Sequence, residues 1–299
     1  MAGVQMVYYH YSPSLSAAIV VAVLYTLAFI GTVFQFMRYR SWAWTAMVAA
    51  AGMESAGYIL RSLSTQNQTD KNLYVSSYSL IVLAPVLMAA ACYVVFGRIV
   101  FHVVPKENRT MRLLWVPPRF VTPIFVACDI VALFLQLIGA VRITTVDVDT
   151  PGGKSKLQTG KTIAQIGVAV QMVCFGLFSI IAVRFNFTSK RFVAQFEERL
   201  ATETKGEKYC IIDGEEKKLK PKWEAILRVT NITSVLILIR SVYRMVDFSL
   251  GQTGYTGTHE WVEYIFDALM IFPVVALFVY WHPSKYLPYL GLRLPKHAR

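Results

Sequence analysis

Polar residues along this chain are spaced so that seven mostly apolar runs stand apart, at about 14–36, 43–63, 76–101, 120–141, 161–183, 224–246 and 260–281. Each is close to the roughly 20 residues that an α-helix needs to cross the hydrocarbon core of a bilayer. The pattern predicts an all-α, polytopic membrane protein of seven helices in a single domain. The connections are short, except for a segment at 184–222, expected to be a cytoplasmic loop, and a cytoplasmic tail at 283–299. Neither leaves room for a separate soluble catalytic module.

Lysine and arginine set the expected orientation, because cytoplasmic flanks retain positive charge. With the N-terminus outside, 21 of the 30 basic residues fall in inner segments and six in outer ones. The remaining three, Arg228, Arg240 and Arg244, lie in or at the end of the sixth run. The N-terminus is therefore predicted outside and the C-terminus inside. The net charge of +12 then marks topology and contact with anionic lipid, and no nucleic-acid signature accompanies it. The first run lacks a basic leader and is long enough to span, so it reads as a membrane helix and not as a cleaved signal.

Two stretches hold charge where lipid makes it costly. In IRSVYRMVDF, Arg240, Tyr243 or Arg244, and Asp247 follow the i, i+3/i+4, i+7 spacing of one helical face. In HEWVEYIFDALM, Glu260, Glu263 or Tyr264, and Asp267 repeat it. If Asp247 and Glu260 mark the outer surface, Arg240 and Asp267 each lie about 10 Å below it at ~1.5 Å per residue. The charges are opposite and the depths match. An unpaired charge at a helix centre costs roughly 2.5–3.5 kcal/mol on insertion scales, so a pair is expected, as a clamp between helices or as part of an outward-opening polar cavity.

Glu54 and Asp129 fall near mid-membrane, with Arg61 two turns outward of Glu54 and Gln136 two turns outward of Asp129. All are expected to face the bundle. Gly52 and Ala56 in AAAGMESAGYILR suit close helix packing. Pro85 and Pro273 interrupt the third and seventh runs, each freeing a carbonyl and kinking or opening its helix.

Six blocks carry a resemblance: ESAGYILR (54–61), LAPVLMAAACYVVFGRI (83–99), FVACDIVALFLQLIG (125–139), LIRSVYRMVDFSLGQTG (238–254), EWVEYIFDALM (260–270) and HP (282–283). In this order they resemble the fungal lipid-translocating exporters, also described as resistance-to-aminocholesterol-like proteins. The resemblance implies a seven-span fungal protein that releases or flips sphingoid long-chain bases, gives tolerance of toxic sterol-like compounds, or moves porphyrins. It suggests the plasma membrane, or else internal membranes. The family's charged and small positions carry over to Glu54, Gly57, Tyr58, Arg61, Pro85, Arg98, Asp129, Gln136, Gly139, Arg240, Arg244, Glu260 and Asp267. Asp247 stands where the family often has Glu, and Ala140 where Gly often follows Gly139.

The substrate-binding candidates are thus Glu54, Tyr58, Arg61, Asp129, Gln136, Arg240, Tyr243, Arg244, Asp247, Glu260, Tyr264 and Asp267, with membrane lipids and an amphiphilic cargo as partners. A seven-helix receptor or sensor is the alternative. No enzyme, cofactor or metal is predicted: PGGKS (151–155) lacks the first glycine of a phosphate loop. His10 and His259 fall on the opposite side from His102, His282 and His297, too far apart to share a zinc.

Overall fold

The computed structural model describes residues 13–105, 108–109, 114–145, 153–194, 210–212, 215–217, 222–250 and 254–287. Seven long helices organise them: α1 (Leu15–Tyr39), α2 (Thr45–Gln66), α3 (Lys71–Val103), α4 (Pro118–Thr145), α5 (Gly153–Thr188), α6 (Trp223–Leu250) and a composite α7. α7 is built from Glu260–Glu263, a π turn at Tyr264–Ala268, and Leu269–Tyr280. Of the inner segment, the part after α5 that is described forms a 3₁₀ turn at Ser189–Phe192. Further on, strands β1 (Cys210–Ile212) and β2 (Glu215–Lys217) pair antiparallel.

Local chemistry explains the helix ends. Ser14 caps α1 by accepting from the Ala17 amide, and Arg40, with φ of 46°, turns the chain left-handed and stops it. Asp70 accepts from the Asn72 and Leu73 amides and starts α3, as a short acidic side chain does for orphan N–H groups. Pro118 opens α4 at a position whose missing N–H costs no helical bond.

α1, α2 and α3 pack in sequence, α3 also meets α4 and α6, and α4–α5, α5–α6, α6–α7 and α7–α1 contacts complete the bundle. α3 is the central element: 67% of its apolar window is buried, against 22% for α1 and for α4. The outer faces of those two carry exposed Leu27, Phe34, Met37, Phe134 and Leu137, an apolar surface that water would not tolerate at this extent. Among the described residues, six helices are long and apolar enough to cross a membrane. α2, with Glu54 and Arg61, is the least apolar, and it is sandwiched between α1 and α3.

Glycines let backbones approach. A Cβ at Gly57 would lie 2.7 Å from Ile81 Cγ1, and one at Gly139 would lie 2.6 Å from the Ala164 nitrogen. Small residues serve this purpose in lipid, where helices gain little from burying apolar area against each other. On the α3–α4–α5 side, Tyr93, Phe96, Phe125, Phe175, Phe178 and Phe185 form a buried aromatic core with ring centroids 4.6–5.9 Å apart.

Candidate functional site

At one end of the bundle the start of α1, the ends of α2 and α6 and the start of α7 meet. The Ser14 amide donates to Glu260 Oε2 at 2.8 Å. Arg61, from the last turns of α2, donates to Glu263 at 2.5 Å and lies 3.7 Å from Glu260 Oε1. Its guanidinium carbon also sits 5.2 Å from the centre of the Tyr264 ring.

One turn deeper is a buried knot. Asp267 receives Arg240 Nε on one carboxylate oxygen and an Arg244 terminal nitrogen on the other. Arg244 lies 3.6 Å from Asp247 as well, and the Tyr78 and Tyr243 rings flank it at 5.2 and 5.7 Å. Asp267 is 1% exposed and both arginines about 5%. Arg240 spends its remaining reach on the carbonyl of Ile81, at 2.8 Å. That carbonyl is four residues before Pro85, so it has no helical N–H to receive. The proline frees an acceptor, and the arginine uses it.

The π turn sets the geometry. The Leu269 amide bonds the Tyr264 carbonyl, five residues back, which widens the helix where Asp267 projects. π turns of this kind concentrate at functional sites. The even i, i+3/i+4, i+7 stripe expected from Glu260 to Asp267 is therefore broken: Glu260 and Glu263 turn to Arg61, and Asp267 turns to α6. Pro273 lies one turn beyond, inside the regular part of α7.

Glu54 belongs to the same neighbourhood, with Asp267, Arg240 and Arg244 as the charges that act on it. It is 1% exposed, yet among the described residues neither carboxyl oxygen has a hydrogen-bond partner, and the same holds for the Tyr58 hydroxyl. Buried polar atoms are rarely left so, and each calls for a cause. Tyr58 stacks on Tyr25 of α1 at 5.2 Å, and Tyr25 donates to the Ala268 carbonyl at 2.9 Å. Tyr25 and Phe272 also meet in a T-shaped contact, with ring centroids 5.7 Å apart. Phe272 in turn lines an apolar groove between α1 and α7, with Leu24, Leu27, Ala276 and Tyr280, that ends at Lys285.

The structure does not bring all the predicted residues together. Asp129 accepts from Tyr93 at 2.9 Å, and Gln136 bonds Gln171 at 2.8 Å. Both belong to the α3–α4–α5 side, away from the arginines in their bonding. Tyr243 lies against the cluster but makes its closest ring contact with Phe266, at 5.8 Å. Sequence reasoning passed over Tyr25 and Tyr78, and it placed Glu263 on the charged stripe without counting it among the binding candidates. Glu263 was legible in HEWVEYIF; the two tyrosines sit in otherwise unremarkable runs and gave no signal.

Residues 47–289 match the family described as RTA1 like protein. The chain belongs to the RTA1-like family. It is a multi-pass membrane protein. Among RTA1-like relatives, Protoporphyrin uptake protein 1 of Saccharomyces cerevisiae is 32% identical over 76% of this chain and 64% of its own length. That relative is therefore spanned over less than two thirds of its length. Protein RTA1 of the same species is 28% identical over 91% of the chain and 83% of its own length. The protein named Sphingoid long-chain base transporter RSB1, also from S. cerevisiae, is 23% identical over 91% of the chain and 72% of its length. No solved structure matches.

Proposed function

We infer that this RTA1-like protein transports or flips an amphiphilic lipid, of the sphingoid-base or sterol-like kind, across a membrane that it spans seven times. The observation that carries the reading is the set of open polar atoms, on Glu54 and Tyr58, beside a buried cluster of paired charges. A headgroup would complete their hydrogen bonds. The apolar groove from Phe272 to Lys285 offers a place for a tail, and Tyr25 stands between the two. The name of the sphingoid-base relative supports this class of cargo, and that of the protoporphyrin relative an amphiphilic cargo more broadly.

In this reading α2 is the seventh span, the Ser14 end faces outside, and the plasma membrane is the site of action. The basic flanks at the opposite end, with Arg109 and Arg184, support the orientation. The candidate residues around Arg61, Arg240 and Asp267 receive the headgroup, while Asp129 and Gln136 serve the neighbouring half of the bundle. Purified protein in liposomes, supplied with a labelled sphingoid base, tests the reading. Protein-dependent movement between leaflets is expected; equal movement in protein-free vesicles overturns it.

A further inference from the structure

Glu54 is buried against charge that it does not bond. Beside it, two guanidiniums (Arg240, Arg244) meet two carboxylates (Asp247, Asp267) in the knot described above. That knot is balanced before Glu54 is counted. An ionised Glu54 would add an unbalanced negative charge, with no donor to either oxygen among the described residues, and a charge in that position is far costlier than a neutral acid. The groups that face it are Tyr25 from α1, Tyr58 from its own helix, Arg240 and Arg244 from α6, and Asp267 from α7. α3 brings its nearby polar groups to the arginines instead, the Ile81 carbonyl to Arg240 and Tyr78 to Arg244.

A route outward exists on the same helix. Glu54, Tyr58 and Arg61 follow i, i+4, i+7 spacing and so share a face. The Tyr58 hydroxyl is open, and Arg61 leads to Glu263, which is 15% exposed.

We propose that Glu54 is a proton-exchange site, whose carboxyl carries one proton while the cluster is empty and gives it up when the ammonium group of a cationic amphiphile takes that proton's place. The acid O–H bond breaks, the proton leaves past Tyr58 toward the Glu263 end, and the carboxylate accepts an N–H donor from the ammonium. One positive charge leaves as one enters, so the site keeps its net charge. The proposal rests on the reading that the cluster receives a headgroup. It adds the class of headgroup and the ion exchanged for it. A single exchanged proton makes amine binding tighten by about tenfold for each unit rise in pH.

The test uses the full chain in nanodiscs, with octadecylamine and its neutral N-acetyl derivative as probes. Infrared difference spectra of the wild type should show a carboxylic-acid carbonyl band that octadecylamine removes and the N-acetyl compound leaves. Glu54→Gln should lack that band, and its octadecylamine binding should not vary with pH. Persistence of the band in Glu54→Gln overturns the proposal, as does octadecylamine bound to the wild type with the band intact. The wild-type measurements decide alone if the variant does not fold. Lipid movement in liposomes combined with pH-independent binding counts against Glu54 only; band loss without lipid movement counts against the transport reading only.

Discussion

Asp267 shows how one carboxylate can hold two helices, because each of its oxygens meets a different arginine of α6. Losing one partner of a buried pair costs about 3–5 kcal/mol when the other charge is stranded. Asp267→Asn strands Arg240 and leaves Arg244 only its longer contact with Asp247, whereas Arg240→Ala leaves Arg244 on the carboxylate. We therefore expect Asp267→Asn to lower abundance and thermal midpoint more than Arg240→Ala, measured by size-exclusion of fluorescent fusions before and after heating. The charge exchange Arg240→Asp with Asp267→Arg should not restore either, since it sets the new arginine against Arg244. Recovery in the exchanged protein would show that Arg244 is a minor partner. The matched depth of Arg240 and Asp267 was legible from seven-residue spacing on two adjoining helices. Arg244 was legible on the same face, but its bond to Asp267 was not, because Asp267 sits in a π turn and no hydrophobic period announces one.

Helices α4 and α5 meet through glycine, and here packing has little slack. A Cβ at Gly139 would press on backbone, 2.6 Å from the Ala164 nitrogen and 2.7 Å from the Gly160 oxygen, while one at Gly176 would find its nearest neighbour at 3.8 Å. Gly139→Ala is expected to destabilise by about 1–3 kcal/mol, as overpacking does, and Gly176→Ala to change little. Thermal unfolding in one detergent compares them directly; equal midpoints would mean that α4 and α5 part without cost. Six of the seven apolar runs return as helices long and apolar enough to cross a membrane, because continuous apolarity is a strong signal. Helix ends were less legible. α5 begins at Gly153, eight residues before its apolar run at 161, since polar residues such as Lys154 and Gln158 favour helix as readily as loop once a helix is under way.

Across the whole molecule, orientation governs which surfaces the cell can reach. Four sequons occur, at Asn67, Asn108, Asn186 and Asn231, and the first is exposed just past α2. With the Ser14 end outside, only Asn67 is on the side of the glycosylating enzyme. A mobility shift on deglycosylation that disappears in Asn67→Gln is the expected result; sugar at Asn108 would invert the molecule. The length of α5 has a further consequence. Its 36 residues make a rod of about 54 Å at ~1.5 Å per residue. Even at the ~40° upper end of observed tilts, about 41 Å of it stands along the bilayer normal, against a core of ~30 Å. Some of the rod must project beyond the hydrocarbon core, and the polar start GKSKLQTG is the end suited to do so. In the proposed orientation, Lys154 and Lys156 form a stiff post at the outer surface. A membrane-impermeant amine reagent added to intact cells should mark these two lysines, and a rigid binder grown on the post would give a small, featureless membrane particle a landmark for image alignment.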